Sequence, residues 1–104
     1  MKVIQDFPQR EIDHFGSHGF THSRLARGDV QVSLAELDGT IGGHPAASQQ
    51  LLVVLRGAAT VSTRDDEAKL GEGAAVLWDE GEWHETRGRA LLLLVEGSFE
   101  LFAT

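Results

Sequence analysis

Three side chains could carry chemistry together: His44, Gln50 and His84. An imidazole titrates close to neutrality and serves as base, acid or metal ligand, while an amide oxygen can orient a polar ligand or fill a coordination position. His44 and Gln50 lie in IGGHPAASQQLLVVLRG, Ile41 to Gly57, just ahead of an apolar run that ends at Gly57. His84 lies in GAAVLWDEGEWHETRG, Gly73 to Gly88. There a glycine turn, a short apolar run and a second turn closing on Gly81 place an imidazole at the start of a strand. Trp78 and Trp83, in the same stretch, each offer a broad apolar face with one donor, as walls or gate of a pocket or as ordinary core aromatics. Glu82 and Glu85 stand close to His84, and Glu85 points away from it in a strand of period two. A solvated role is expected for both.

His14, His18 and His22 form a second cluster, spaced by four. On a helix they would line one face and could chelate a metal. Gly16 and Gly19 fall between them, and each costs a helix about 1 kcal/mol relative to alanine. In an extended chain residues four apart are separated by about 13 Å, too far to share one ion. No dedicated three-histidine site is expected. His22, within FTHSRLA, is expected in a strand, from which it could reach the interior.

The elements that must position these residues are strands. Turn signals recur at Gly28-Asp29, Asp38-Gly39, Gly42-Gly43, Asp65-Asp66, Gly71 to Gly73, Glu80-Gly81 and Gly88. Between them lie strand-length segments at Val30–Leu37, Leu51–Arg56, Ala58–Thr63, Ala74–Trp78 and Ala90–Glu96. No segment keeps a helical apolar period for ten residues. The fold class is all-β. Leu51–Leu55 and Ala90–Val95 are apolar on both faces, so each face needs cover. If Gln50 points inward, Leu52 and Val54 do too, leaving Leu51, Val53 and Leu55 outside. Ser98–Phe102 is a candidate covering strand, and a homodimer burying that outer face is expected.

The 104 residues suffice for one domain, 1–104. A net charge of −7 with scattered basic residues argues against a nucleic-acid partner. Eight of sixteen acidic residues fall between Asp65 and Glu85, which suggests a solvated rim, the alternative being an acidic mouth that favours a cationic ligand. The longest apolar run, Ala90 to Val95, is too short to cross a membrane, and the first residues lack a secretory h-region, so a cytoplasmic location is expected. Without cysteine or tyrosine, thiolate and phenol chemistry is excluded. No nucleophile elbow or phosphate-cradling loop is present.

The two stretches together resemble the paired motifs of the cupin superfamily, motif 1 at about 41–57 and motif 2 at about 73–88. Motif 1 runs Gly, five residues, His-x-His, three or four residues, Glu, six residues, Gly. His44 and Gly57 match it, Ala46 stands for the second histidine and Gln50 for the glutamate. Motif 2 runs Gly, five residues, Pro-x-Gly, two residues, His, three residues, Asn. Gly73, Gly81 and His84 match it, with Asp79 and Gly88 in place of proline and asparagine. The resemblance implies a cupin-type double-stranded β-helix, or jelly-roll, barrel. It implies a site inside, with His44, Gln50, His84 and Trp78 on a small-molecule ligand. His44, Gln50 and His84 would be the metal ligands if a divalent transition metal (Zn, Fe, Mn or Ni) is bound. Ala46 removes one donor and Gln50 removes the negative charge, which weakens such a site. The expected function is small-molecule binding. The alternative is a metal-dependent cupin enzyme of the oxygenase or isomerase type.

Overall fold

Short apolar runs punctuated by glycine turns become seven antiparallel strands in the computed structural model, which describes residues 1–102. They are β1 (Arg10–Glu11), β2 (His18–Arg27), β3 (Val30–Pro45), β4 (Gln50–Ser62), β5 (Glu67–Leu70), β6 (Ala75–Trp78) and β7 (Trp83–Gly97). One 3₁₀ turn, His14–Gly16, separates β1 from β2. The strand order is β1-β2-β3-β7-β4-β5, with β6 also paired to β4. β7 is thus the axis of the sheet, hydrogen-bonded along its length to β3 on one side and β4 on the other.

The register shows that this sheet is folded on itself. Pro45 pairs with Trp83 at one end of β7, while Gln50 is opposite Glu96 at the other. Residues 83 and 96 would stand about 43 Å apart on a straight strand. The chain from 45 to 50 reaches at most about 18 Å. β7 must therefore double back, and β3 and β4 with it, so that each long strand contributes one half to each of two facing layers. The bend runs through a row of glycines: Gly39 is opposite Gly88, and Gly57 is opposite Ala90. Gly57 has φ +82°, and a Cβ there would lie 2.2 Å from the Arg89 carbonyl oxygen. Only glycine fits that corner.

The core fills the space between the layers. Leu37, Leu52, Val54, Trp78, Leu92 and Leu94 are all buried. On β4, Leu52 and Val54 face inward as expected, whereas Leu51 and Val53 are half-buried and Leu55 is exposed.

Strand boundaries differ from the sequence expectation where a glycine bends a strand instead of ending it. The segments expected at Leu51–Arg56 and Ala58–Thr63 are one strand bent at Gly57, and the strand expected to end at Leu37 continues to Pro45. Ser98–Phe102 is not a strand. It runs instead along the outer face, where Phe99 and Leu101 meet Val30, Leu51, Leu77 and Val95 around a shallow groove. Among the described residues no helix is long and apolar enough to cross a membrane.

Candidate functional site

A β-bulge aims His44. On β3 the odd residues Ser33, Ala35, Leu37 and Ile41 are buried. Ile41 is opposite Thr86 and His44 is opposite His84, so β3 spends one more residue than β7 over that interval. The extra residue, at Gly42-Gly43, changes the strand's parity and turns His44 to the face that Ile41 occupies. Both glycines are packed too closely for a side chain. A Cβ at Gly42 would fall on the Phe15 carbonyl, and one at Gly43 on the Trp83 ring. The Gly42 N–H, freed from the ladder, donates to Ser17 Oγ at 2.9 Å, which ties the 3₁₀ turn across this end of the barrel. His44 therefore belongs to a strand, in place of the loop position its glycine and proline neighbours suggest.

The bulge completes a column of four rings. Phe15 stacks on His44 with centroids 4.6 Å apart, His44 lies 4.6 Å from His84, and His84 stacks on Trp78 at 4.1 Å. His84 and Trp78 are each only 2% exposed. His84 is thus part of the core as well as part of the site, a larger packing role than its place at a strand start implies.

The two imidazoles are held alike. His44 Nδ1 is 2.7 Å from the Gly42 carbonyl oxygen and His84 Nδ1 is 3.0 Å from that of Glu82. A carbonyl can only accept, so each Nδ1 carries the hydrogen and donates, leaving Nε2 with its lone pair when the ring is neutral. Burial lowers the His84 pKa, against the opposing pull of the Glu82 carbonyl, and keeps the ring neutral at neutral pH.

These rings open on a cavity of about 350 Å³. His44, Gln50, Trp78 and His84 all line it. Trp83 does not. It packs outside on Gly43, with the Arg64 guanidinium 4.7 Å above its ring. Glu82 and Glu85 also stay out of the cavity: the Glu82 carboxylate accepts from the Asp79 N–H, and that of Glu85 lies 3.9 Å from Arg87. Of the spaced histidines, His14 and His22 reach the cavity and His18 does not.

Three charged residues on the wall were not anticipated: Arg10, Arg24 and Glu96. Glu96 was legible, because counting by twos along β7 from His84 passes through the buried positions 86, 90, 92 and 94 and arrives at 96. Burial pushes its carboxyl above the ordinary carboxylate value, while the charges of His44 and Arg24 pull the other way. The arginines had no such signal, since only the pairing of β1 with β2 brings Arg10 opposite His22.

No protein-family model matches the chain, and no curated protein matches it. Solved structures do. A cupin-2 domain containing protein from Shewanella frigidimarina superposes with a TM-score of 0.68 at 19% identity, over 79% of this chain and 84% of that one. A cupin superfamily protein from Desulfitobacterium hafniense gives 0.68 at 23% identity, over 75% of this chain and 76% of that one. The fold is the cupin fold. A further match is HppE, solved with iron(II) and its substrate, with a TM-score of 0.76 at 16% identity, over 92% of this chain and 59% of that one.

The donor set of this cupin barrel fits a resident metal only in part. His44 and His84 present two nitrogen donors as metal ligands are usually presented, with the far ring nitrogen on a backbone carbonyl. The next donor, Gln50, is a neutral amide, and Ala46 is buried and brings none. Among the described residues no three His, Cys, Asp or Glu side chains group to hold an ion. That falls short of the three strong protein ligands of a tight catalytic site.

Proposed function

We propose that this cupin barrel binds a small organic molecule in its interior cavity, with His44, Gln50 and His84 as the polar groups that orient it and Trp78 as an apolar wall. The observation that carries this reading is the matched imidazole pair. Both rings are locked by Nδ1 hydrogen bonds, neither Nε2 has a partner among the described residues, and both line the same cavity. Locked polar groups set against an apolar wall in a concavity are the usual make-up of a small-molecule site, and 350 Å³ lies within the usual size range. A neutral Nε2 can accept a hydrogen bond or a proton from the ligand, and the Gln50 amide can both donate and accept.

A metal-dependent enzyme of the oxygenase or isomerase type is the second reading. It is favoured by the same two ring nitrogens and by the iron(II) in HppE. His44, His84 and Gln50 would be the residues on a divalent ion, which would supply a Lewis acid.

One preparation separates the two. Protein purified without a metal-affinity column is analysed for metal content and, by native mass spectrometry, for a co-purifying organic molecule. An organic molecule whose occupancy falls in His44→Ala and His84→Gln supports ligand binding. A stoichiometric metal lost in the double variant transfers support to the enzyme. Occupancy unchanged in both variants overturns the site.

A further inference from the structure

The wall formed by β1 and β2 is basic in an acidic protein. Of nine Lys and Arg residues in a chain of net charge −7, Arg10 and Arg24 both line the one cavity that holds the histidine pair. β1 sets Arg10 opposite His22, and Arg24 follows His22 on the same face of β2. Neither guanidinium lies within 4 Å of a carboxylate or donates a hydrogen bond among the described residues, although Arg87 pairs with Glu67 and Glu85. Every other Lys and Arg except Arg87 is likewise without an ion pair among the described residues, so what sets Arg10 and Arg24 apart is their shared place on this cavity wall, where their guanidiniums are free to meet a negative charge.

The rest of the cavity defines what the charge is attached to. Ile12, Phe20, Ile41, Leu52 and Leu94 supply apolar wall, and Glu96 is the one acidic residue on it. Glu96 approaches Arg24 closely enough for their charges to interact but not closely enough for an ion pair. A bare inorganic anion would leave the apolar wall unused, and a wholly apolar molecule would leave two guanidiniums without a partner. A carboxylate matches the planar donor fork of arginine.

We propose that the cavity selects small organic carboxylates, the charged end held by Arg10 and Arg24, the apolar body against Phe20, Ile41, Leu52 and Leu94, and the far end meeting His44 and His84. This rests on the reading of the cavity as a small-molecule site, and it names the ligand class.

Titration of the full chain with benzoate, with its neutral isostere benzamide and with inorganic phosphate, at fixed ionic strength and followed by NMR shifts of the Trp78 indole and His84 ring, tests it. Benzoate is expected to bind at least about tenfold more tightly than benzamide, by the added strength of a charge-assisted hydrogen bond. Arg24→Gln and Arg10→Gln, both at exposed positions, are each expected to erase most of that preference, weakening benzoate far more than benzamide. Equal binding of the two probes, or a preference that survives both substitutions, overturns the carboxylate inference and leaves the small-molecule site standing. Phosphate binding as tightly as benzoate also overturns it, by showing an anion site indifferent to the apolar body. Failure of both organic probes to move Trp78 or His84 counts against the small-molecule site itself.

Discussion

His22 sits between two guanidinium groups, Arg10 across the ladder and Arg24 beside it, and shares its cavity with His14, His44, His84 and Glu96. Burial first, and then the charges of Arg10 and Arg24, hold its pKa below the ordinary 6.5. In the unfolded chain the ring takes its proton near the ordinary value, while the native ring waits for a lower pH. The native state therefore binds fewer protons in that window, and His22 contributes stability that is complete above about pH 6.5 and is lost as the pH falls through the native value. Urea unfolding of wild type and His22→Gln, from pH 7.5 to pH 5.5, isolates this residue from the other histidines. The wild-type advantage over the variant is expected to shrink as the pH falls. A difference that stays constant across the range contradicts the linkage.

At the level of the strands, the doubled-back barrel depends on its corner. Gly57→Ala places a methyl group 2.2 Å from a backbone oxygen at φ +82°, where nothing flexible can give way. A loss of more than about 2 kcal/mol is expected in urea unfolding. Gly71→Ala, with no atom near the new methyl group, is expected to stay within about 0.5 kcal/mol. Equal effects of the two substitutions contradict the corner. The same glycines limited what the sequence disclosed. The spacing of Gly57, Gly73 and Gly81 to the histidines was enough for the fold and for placing His44, Gln50, Trp78 and His84 in one neighbourhood, because corners and turns recur at fixed intervals in this architecture. A glycine that bends a strand and a glycine that ends one look alike in a sequence, which is why β4 reads there as two strands. The pairing of Arg10 with His22 was hidden for a different reason. It depends on which strands lie side by side, and no local pattern in residues 10 to 24 encodes that.

For the molecule as a whole, the outer face of β4 and β7 remains only partly covered. Leu51, Val53, Leu93 and Val95 are half-buried, and Leu55 and Leu77 are exposed at 45% and 38%. The segment 98–102 lies along this face without pairing to it, tethered by the Gln49 side-chain amide, which donates to the Phe99 carbonyl at 3.0 Å. Burying an apolar side chain of this size gains roughly 1.5–3 kcal/mol, and a two-fold pairing of the face with its copy would gain it on both chains. A homodimer is the expected outcome of light scattering at micromolar concentration. The mass of a single chain, unchanged on concentration, would show that the tethered segment is cover enough. The half of the acidic residues that cluster between Asp65 and Glu85 lies mostly exposed, as a solvated rim should.

The central place of β7 sets a timetable for folding. It follows both its neighbours in the chain, yet β3 and β4 pair with it and not with each other. While the chain is being synthesised, two long apolar strands must wait, each with an open edge, until residues 83 to 97 have emerged. Closing those ladders joins positions as distant as Val30 and Gly97, and such non-local pairing is slow, on the order of milliseconds to seconds. His84 arrives with the first residues of that strand and Glu96 with the last. The pairing of His44 with His84 and the placing of Glu96 on the cavity wall therefore come with the same event that closes the barrel.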